Sequence, residues 1–131
     1  ESLLNIIIDK LTESIKGVKK FGLSIDSIGQ FPEKGVAKIV YVSGKEGLAL
    51  LNSLSDKIRS NFAKIGLKED KKFKYHITIA RAYKTKESAK FNLPEFNNKY
   101  KFEVNSIVLY KSDLTQNGPI YTEIWRGNLD G

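Results

Sequence analysis

Apolar residues near the start of the chain recur at steps of three and four. Leu3, Leu4, Ile7, Ile8, Leu11 and Ile15 make one stripe, which predicts an amphipathic helix over residues 2–16. Gly17 is its stop signal. The period then changes. Phe21, Leu23 and Ile25 alternate with small or polar residues and are followed by Ile28, the pattern of a half-buried strand. Pro32 and Gly35 mark a turn over residues 30–35. Residues 36–42, VAKIVYV, are short and β-branched and predict a central strand.

Helical spacing returns in residues 46–65, where Leu48, Leu51, Leu54, Ile58, Phe62 and Ile65 form a stripe that Gly66 ends. A charged linker, residues 68–74, leads to a third strand over 75–83. Residues 84–98 are polar and predict a loop with one helical turn. Phe102, Val104 and Ile107 to Leu109 predict a fourth strand, residues 112–119 a turn centred on Asn117-Gly118, and residues 120–125 a fifth strand closing a hairpin with the fourth. The order is α-β-β-α-β-loop-β-β. Consecutive hairpin-like strands imply antiparallel sheets with packed helices, an α+β class and not a doubly wound one. At 131 residues the chain is expected to form a single domain, 1–131.

Charge and composition narrow the chemistry. Lys and Arg total 22 against 15 Asp and Glu, a net charge of +7. That balance favours an acidic partner, nucleic acid first; the plainer reading is a lysine-solvated surface. No apolar run is long enough for a membrane span, and no signal-peptide pattern is present. With no Cys and one His, the sequence offers no disulfide, no thiolate or multi-histidine metal site and no cysteine nucleophile. The chain has no Met and begins at Glu1. We therefore expect a piece of a longer protein, or a trimmed one.

The lone histidine sits in HITIAR, residues 76–81. On a strand, residues two apart share a face, so His76 and Thr78 stand together while Ile77 and Ile79 are expected on the opposite, buried side. An imidazole takes or gives a proton near neutral pH. A Thr hydroxyl donates to a phosphoryl oxygen, and Arg81 could clamp an anion. Strict alternation, however, places Arg81 on the isoleucine face, so it reaches His76 only through a bulge, a twist or the strand end.

The run KFKYHITIARAYK, residues 72–84, resembles the second HxT motif of the two-histidine phosphoesterase superfamily. The nearest branch is the RNA 2′,3′-cyclic phosphodiesterases, also called 2′-5′ RNA ligases. The helix ending in FAKIGL, the SIGQFP turn at residues 27–32 and the closing run VLYKSDLTQNGPIYTEI at residues 108–124 are similar to that family as well, so the likeness spans nearly the whole chain. It implies a LigT-like fold of two lobes with one HxT motif in each. This chain carries one His, so the resemblance implies that the opening strand, first helix and first HxT strand are missing and that one lobe is incomplete. A missing N-terminal segment or a complementary chain would supply them.

The resemblance further implies a reaction that opens a terminal 2′,3′-cyclic phosphate on RNA to a 2′-phosphomonoester, without metal or other cofactor. 2′-5′ ligation is the related activity of the same site. His76 is then the proton acceptor and Thr78 the oxyanion donor; Arg81, Tyr75 and Phe73 are candidate substrate-binding residues. Tyr110, Ser112 and Tyr121 are implied at the cleft wall. Trp125 reads as packing, Lys68, Lys71 and Lys72 as a solvated linker, and Asp113 with Glu123 as no acid–base pair. The expected partners are RNA ends or nucleotide 2′,3′-cyclic phosphates, with no membrane and a cytoplasmic location. Alone, the chain is expected to bind such ends weakly and to turn them over poorly. The competing readings are a non-catalytic RNA or nucleotide binding module with a degenerate HxT site, and a plain interaction domain.

Overall fold

The computed structural model of the chain describes residues 2–82 and 93–131. The elements run α1 (Leu3–Ile15), β1 (Phe21–Ile25), β2 (Ser27–Phe31), β3 (Ile39–Ser43), α2 (Leu48–Ala63), β4 (Ile77–Arg81), β5 (Tyr100–Val104), β6 (Ser106–Thr115) and β7 (Gly118–Asn128). They fall into two compact units. One comprises Glu1–Phe21, Asn52–Lys72 and Glu103–Gly131; the other comprises Gly22–Leu51 and Phe73–Phe102. The architecture is the expected α+β one, and the strand ladders β2–β3, β3–β4 and β6–β7 are antiparallel. Among the described residues, no helix is long and apolar enough to cross a membrane.

In the first unit, α1 begins where the Ser2 hydroxyl accepts a hydrogen bond from the Asn5 N–H at 3.3 Å, satisfying one of the orphan donors of a helix start. Gly17, at φ +76°, takes the left-handed conformation that ends the helix. Leu11 and Ile15 are buried with Phe21, Leu54 and Leu129. Ser14 lies among them. Its hydroxyl donates to the Lys10 carbonyl at 2.7 Å and accepts from the Asn61 amide at 2.9 Å, so a polar group in the α1–α2 contact is fully partnered. The apolar stripe of α1 is shorter than expected, because Leu3 and Leu4 are exposed.

β6 and β7 form the hairpin of this unit. Thr115 lies opposite Gly118, so the connection is the two residues Gln116 and Asn117, tighter than the turn expected over 112–119. The Thr115 hydroxyl donates to the Gly118 carbonyl at 2.6 Å and accepts from the Asn117 N–H at 3.2 Å. Gly118 stands at φ +108°, which a side chain would strain.

The second unit is built on a three-stranded sheet, β2-β3-β4, with β3 central as expected. The single strand expected over residues 21–28 is two strands in separate sheets. Asp26 breaks it: its N–H donates to the Ser43 carbonyl at 2.9 Å, and its carboxylate accepts from the Ser24 hydroxyl at 2.9 Å and the Lys45 N–H at 3.4 Å. The expected fourth strand is likewise two, β5 and β6, divided at Asn105, whose carbonyl accepts from Leu129 N–H. The core of this unit holds Leu23, Ser24, Ala37, Tyr41, Val42 and Tyr75. Ile77 and Ile79, expected on a buried face, are 39% and 55% exposed. β4 is an edge strand with one described neighbour, β3, so its isoleucines are covered from one side only. Of the loop expected over 84–98, residues 84–92 lie outside the described residues, as does Tyr83.

Candidate active site

His76 does not lie in the ladder; β4 starts one residue later, at Ile77. Side chains hold the residues before it. The Ser43 hydroxyl donates to the Tyr75 carbonyl at 2.7 Å, and the Tyr75 hydroxyl donates to the Ser24 carbonyl at 3.0 Å. Tyr75 is thereby fixed at both ends, 6% exposed, and its burial holds its phenol above the ordinary tyrosine value. A ring so placed has no open face for a base. Tyr75 anchors the strand start, and the neighbouring Phe73 is the aromatic that stays exposed.

With Tyr75 turned inward, His76 is turned out and exposed. Its Nδ1 lies 2.8 Å from the Lys74 carbonyl oxygen. A carbonyl only accepts, so Nδ1 carries the hydrogen and the neutral ring keeps its lone pair on Nε2. The ring meets Phe31 edge-on at 5.3 Å and Tyr41 at 6.0 Å, while Phe31 and Tyr41 stack on each other at 4.5 Å. Gly29 makes room for this cluster. A Cβ there would come within 2.6 Å of the Tyr41 Cζ and hydroxyl.

The strand register completes the face. Gly29 lies opposite Tyr41 and Phe31 opposite Ile39; Tyr41 lies opposite Thr78 and Ile39 opposite Arg81. Directly opposed residues share a face, so Thr78 joins His76, Phe31 and Tyr41. Arg81 does too. Val40 pairs with Ala80 and Tyr41 with Thr78, leaving Ile79 as the extra residue of a bulge. That extra residue resets the alternation and puts Thr78 and Arg81 on one face although they are three apart. A cleft of about 310 Å³ lined by Gly29, Gln30, Glu33, Tyr41 and Leu93 opens beside the cluster.

Lys74, expected only as part of the basic approach to His76, joins the cluster itself. Its ammonium lies 5.4 Å from the Phe31 ring centre and 5.2 Å from that of Tyr41, within cation–π range, and 3.6 Å from a Glu33 carboxylate oxygen. The Tyr41 hydroxyl and then Glu33 hold it above the ordinary lysine value. The sequence placed Lys74 in a charged linker; only the β2–β3–β4 pairing brings Phe31, Tyr41 and Glu33 to it.

In the other unit, Ser112 lies opposite Tyr121 and Tyr110 opposite Glu123. Tyr110, Ser112 and Tyr121 therefore share one hairpin face, the two rings edge to face at 6.2 Å and both exposed. Asp113 pairs with Lys111 at 3.6 Å and Glu123 with Arg126 at 2.6 Å, so the two carboxylates are engaged separately. Trp125 is half-buried opposite Leu109. Arg59 donates to the Glu69 and Lys71 carbonyls at 2.7 and 2.6 Å, which pins the linker through its backbone and leaves Lys68, Lys71 and Lys72 exposed. Among the described residues no group of three or more His, Asp or Glu side chains could hold a metal ion.

Residues 44–121 match the LigT-like phosphoesterase family. The chain is 32% identical over 133 residues to an RNA 2′,3′-cyclic phosphodiesterase of Aquifex aeolicus, covering 95% of this chain and 69% of that protein. It is 32% identical over 109 residues to one of Archaeoglobus fulgidus, covering 79% of this chain but 60% of the relative's length. Its fold matches that of E. coli LigT complexed with 3′-AMP at a TM-score of 0.74 and 22% identity, over 98% of this chain and 71% of the other. The chain belongs to the LigT-like phosphoesterase family.

Proposed function

We propose that this chain carries one half of the active site of an RNA 2′,3′-cyclic phosphodiesterase. His76 Nε2 takes a proton from water as the oxygen attacks phosphorus. The P–O3′ bond breaks, the 3′ oxygen leaves with a proton from an acid on the other half-site, and the phosphate remains on O2′. Thr78 donates to a non-bridging oxygen as charge builds there, and Arg81 neutralises the phosphate from the same face. In this proposal side chains of the two half-sites supply both the proton transfer and the charge stabilisation. The observation that carries this reading is the His76 Nδ1–H bond to the Lys74 carbonyl, which fixes an exposed ring whose basic nitrogen has no partner among the described residues. Two relatives bearing this name, each 32% identical, support it.

The test is hydrolysis of an oligoribonucleotide ending in a 2′,3′-cyclic phosphate. It is run on the chain alone and on the chain joined to an upstream segment carrying a first HxT strand. We expect little turnover from the chain alone. The joined protein should release a 2′-phosphate end and lose that activity in His76→Ala, a drop of about 10²–10⁴-fold for a lost acid–base group. One observation favours a second reading, a nucleotide-binding module: the chain has a single His. Binding without turnover in the joined protein would select it.

A further inference from the structure

Resting on the phosphodiesterase reading, we infer that Lys74 is a phosphate-binding residue of this site and that Glu33 is a built-in stand-in for the phosphate, displaced when an RNA end arrives. The two groups are unequally held. Lys74 rests on the stacked rings of Phe31 and Tyr41, and the same two rings touch His76. The ammonium and the imidazole therefore share their neighbours, and a nucleotide bound at one reaches the other. Glu33 is different. Its side chain is 78% exposed on the loop after β2, and its carboxylate oxygen lies 3.6 Å from the Lys74 ammonium.

An exposed ion pair of this kind is weak and easily exchanged. A phosphate oxygen offers Lys74 a shorter, charge-assisted bond. The loop that carries Glu33 is braced by Gln30, whose amide donates to the Pro32 carbonyl at 3.0 Å and the Gly35 carbonyl at 3.3 Å. Glu33 can thus swing away without the loop coming apart. The carboxylate also gives the open cleft a screen against simple anions, because a ligand must outcompete it for Lys74.

The two charges make opposite predictions. Binding of adenosine 2′,3′-cyclic monophosphate and of the adenylyl dinucleotide with the same cyclic end is measured by NMR titration of the chain, following the His76 ring. Glu33→Gln should tighten binding about two- to fivefold, and Lys74→Met should weaken it about tenfold, as for loss of one charge-assisted bond. Lys74→Arg should stay near wild type, and Glu33→Gln should change nothing in the Lys74→Met background. Equal effects on both ligands assign Lys74 to the terminal phosphate; effects on the dinucleotide alone assign it to the internucleotide one. If wild type binds with His76 shifts but the Glu33 or Lys74 changes leave affinity unaltered, the exchange is wrong and the phosphodiesterase reading stands. If neither wild type nor Glu33→Gln binds either ligand, the exchange falls, and the phosphodiesterase reading is decided by the joined protein. Glu33 is exposed and outside the core, so its variant folds whatever becomes of the Lys74 one.

Discussion

Tyr75→Phe separates an anchor from a stacking platform by one atom. The ring is kept; only the hydroxyl that donates to the Ser24 carbonyl at 3.0 Å is removed. Ser24 is fully buried and is the hub of its surroundings. Its N–H donates to the Glu46 carbonyl at 3.2 Å, and its hydroxyl accepts from the Glu46 N–H at 3.0 Å while donating to Asp26. Loss of a buried hydrogen bond costs about 0.5–1.5 kcal/mol, and leaving a buried carbonyl with one fewer donor raises this towards about 2 kcal/mol. With an unfolding entropy of about 2.1 cal/mol/K per residue, a loss of about 1–2 kcal/mol lowers the midpoint of a chain this size by roughly 4–7 °C. The assay is thermal and urea unfolding of the chain, with amide exchange at Ser24 and Ser43 as the local readout. Tyr75→Phe should unfold earlier, and exchange should quicken at both amides. Stability within about 0.5 kcal/mol of wild type, with nucleotide affinity also unchanged, would refute the anchoring argument.

Three further outcomes follow from the same geometry. Gly29→Ala pushes a Cβ to within 2.6 Å of the Tyr41 ring. It should cost about 1–3 kcal/mol as overpacking and move the His76 ring resonances, both read on the purified variant. Thr78→Val keeps a β-branched residue in β4 and removes one donor, so it should lower turnover in the joined protein about 10²–10³-fold with little change in unfolding. Glu46 is held below the ordinary carboxylate range by its hydrogen bonds to Lys101 and then Lys99. Its contribution to stability is therefore full above the unfolded glutamate value of about 4.3 and is lost as pH falls through the lower folded one. Glu46→Gln should be the less stable protein at pH 7, and the gap should close in acid unfolding series below about pH 4.

The helices were legible because the 3.6-residue stripe reports burial directly; Leu11, Ile15 and Leu54 are where it placed them. The closing hairpin was legible from Asn117-Gly118. Alternation could not reveal where a strand stops if the pattern runs on through the break. Asp26 and Asn105 each divide one strand from the next by hydrogen bonds with segments distant in sequence, at Ser43 and Leu129, and neither interrupts the apolar rhythm. The pairing of His76 with Thr78 was readable at period two. The placement of Arg81 was not, since it depends on an extra residue that shows only in the register with β3. Tyr75 and His76 are neighbours with opposite fates, one core and one surface, and the choice was made by Ser24 and Ser43, which lie far away in sequence. The Lys74 cluster is tertiary throughout and leaves no local signal.

The bulge at Ile79 also bears on how this protein behaves in concentrated solution. β4 has a described strand on one side only and exposes two isoleucines, the makings of a template for a second copy to add its own strand. A regular edge would offer an unbroken row of N–H and C=O groups. Here the row is dislocated after Thr78, and an incoming strand loses register within two residues. Removing Ile79 would keep Tyr41 opposite Thr78 and Ile39 opposite Arg81, so the chemistry of that face would be preserved. The edge, however, would become straight and continuous, and self-association would become the dominant hazard. The extra residue therefore blunts the edge, a role separable from the placement of Arg81.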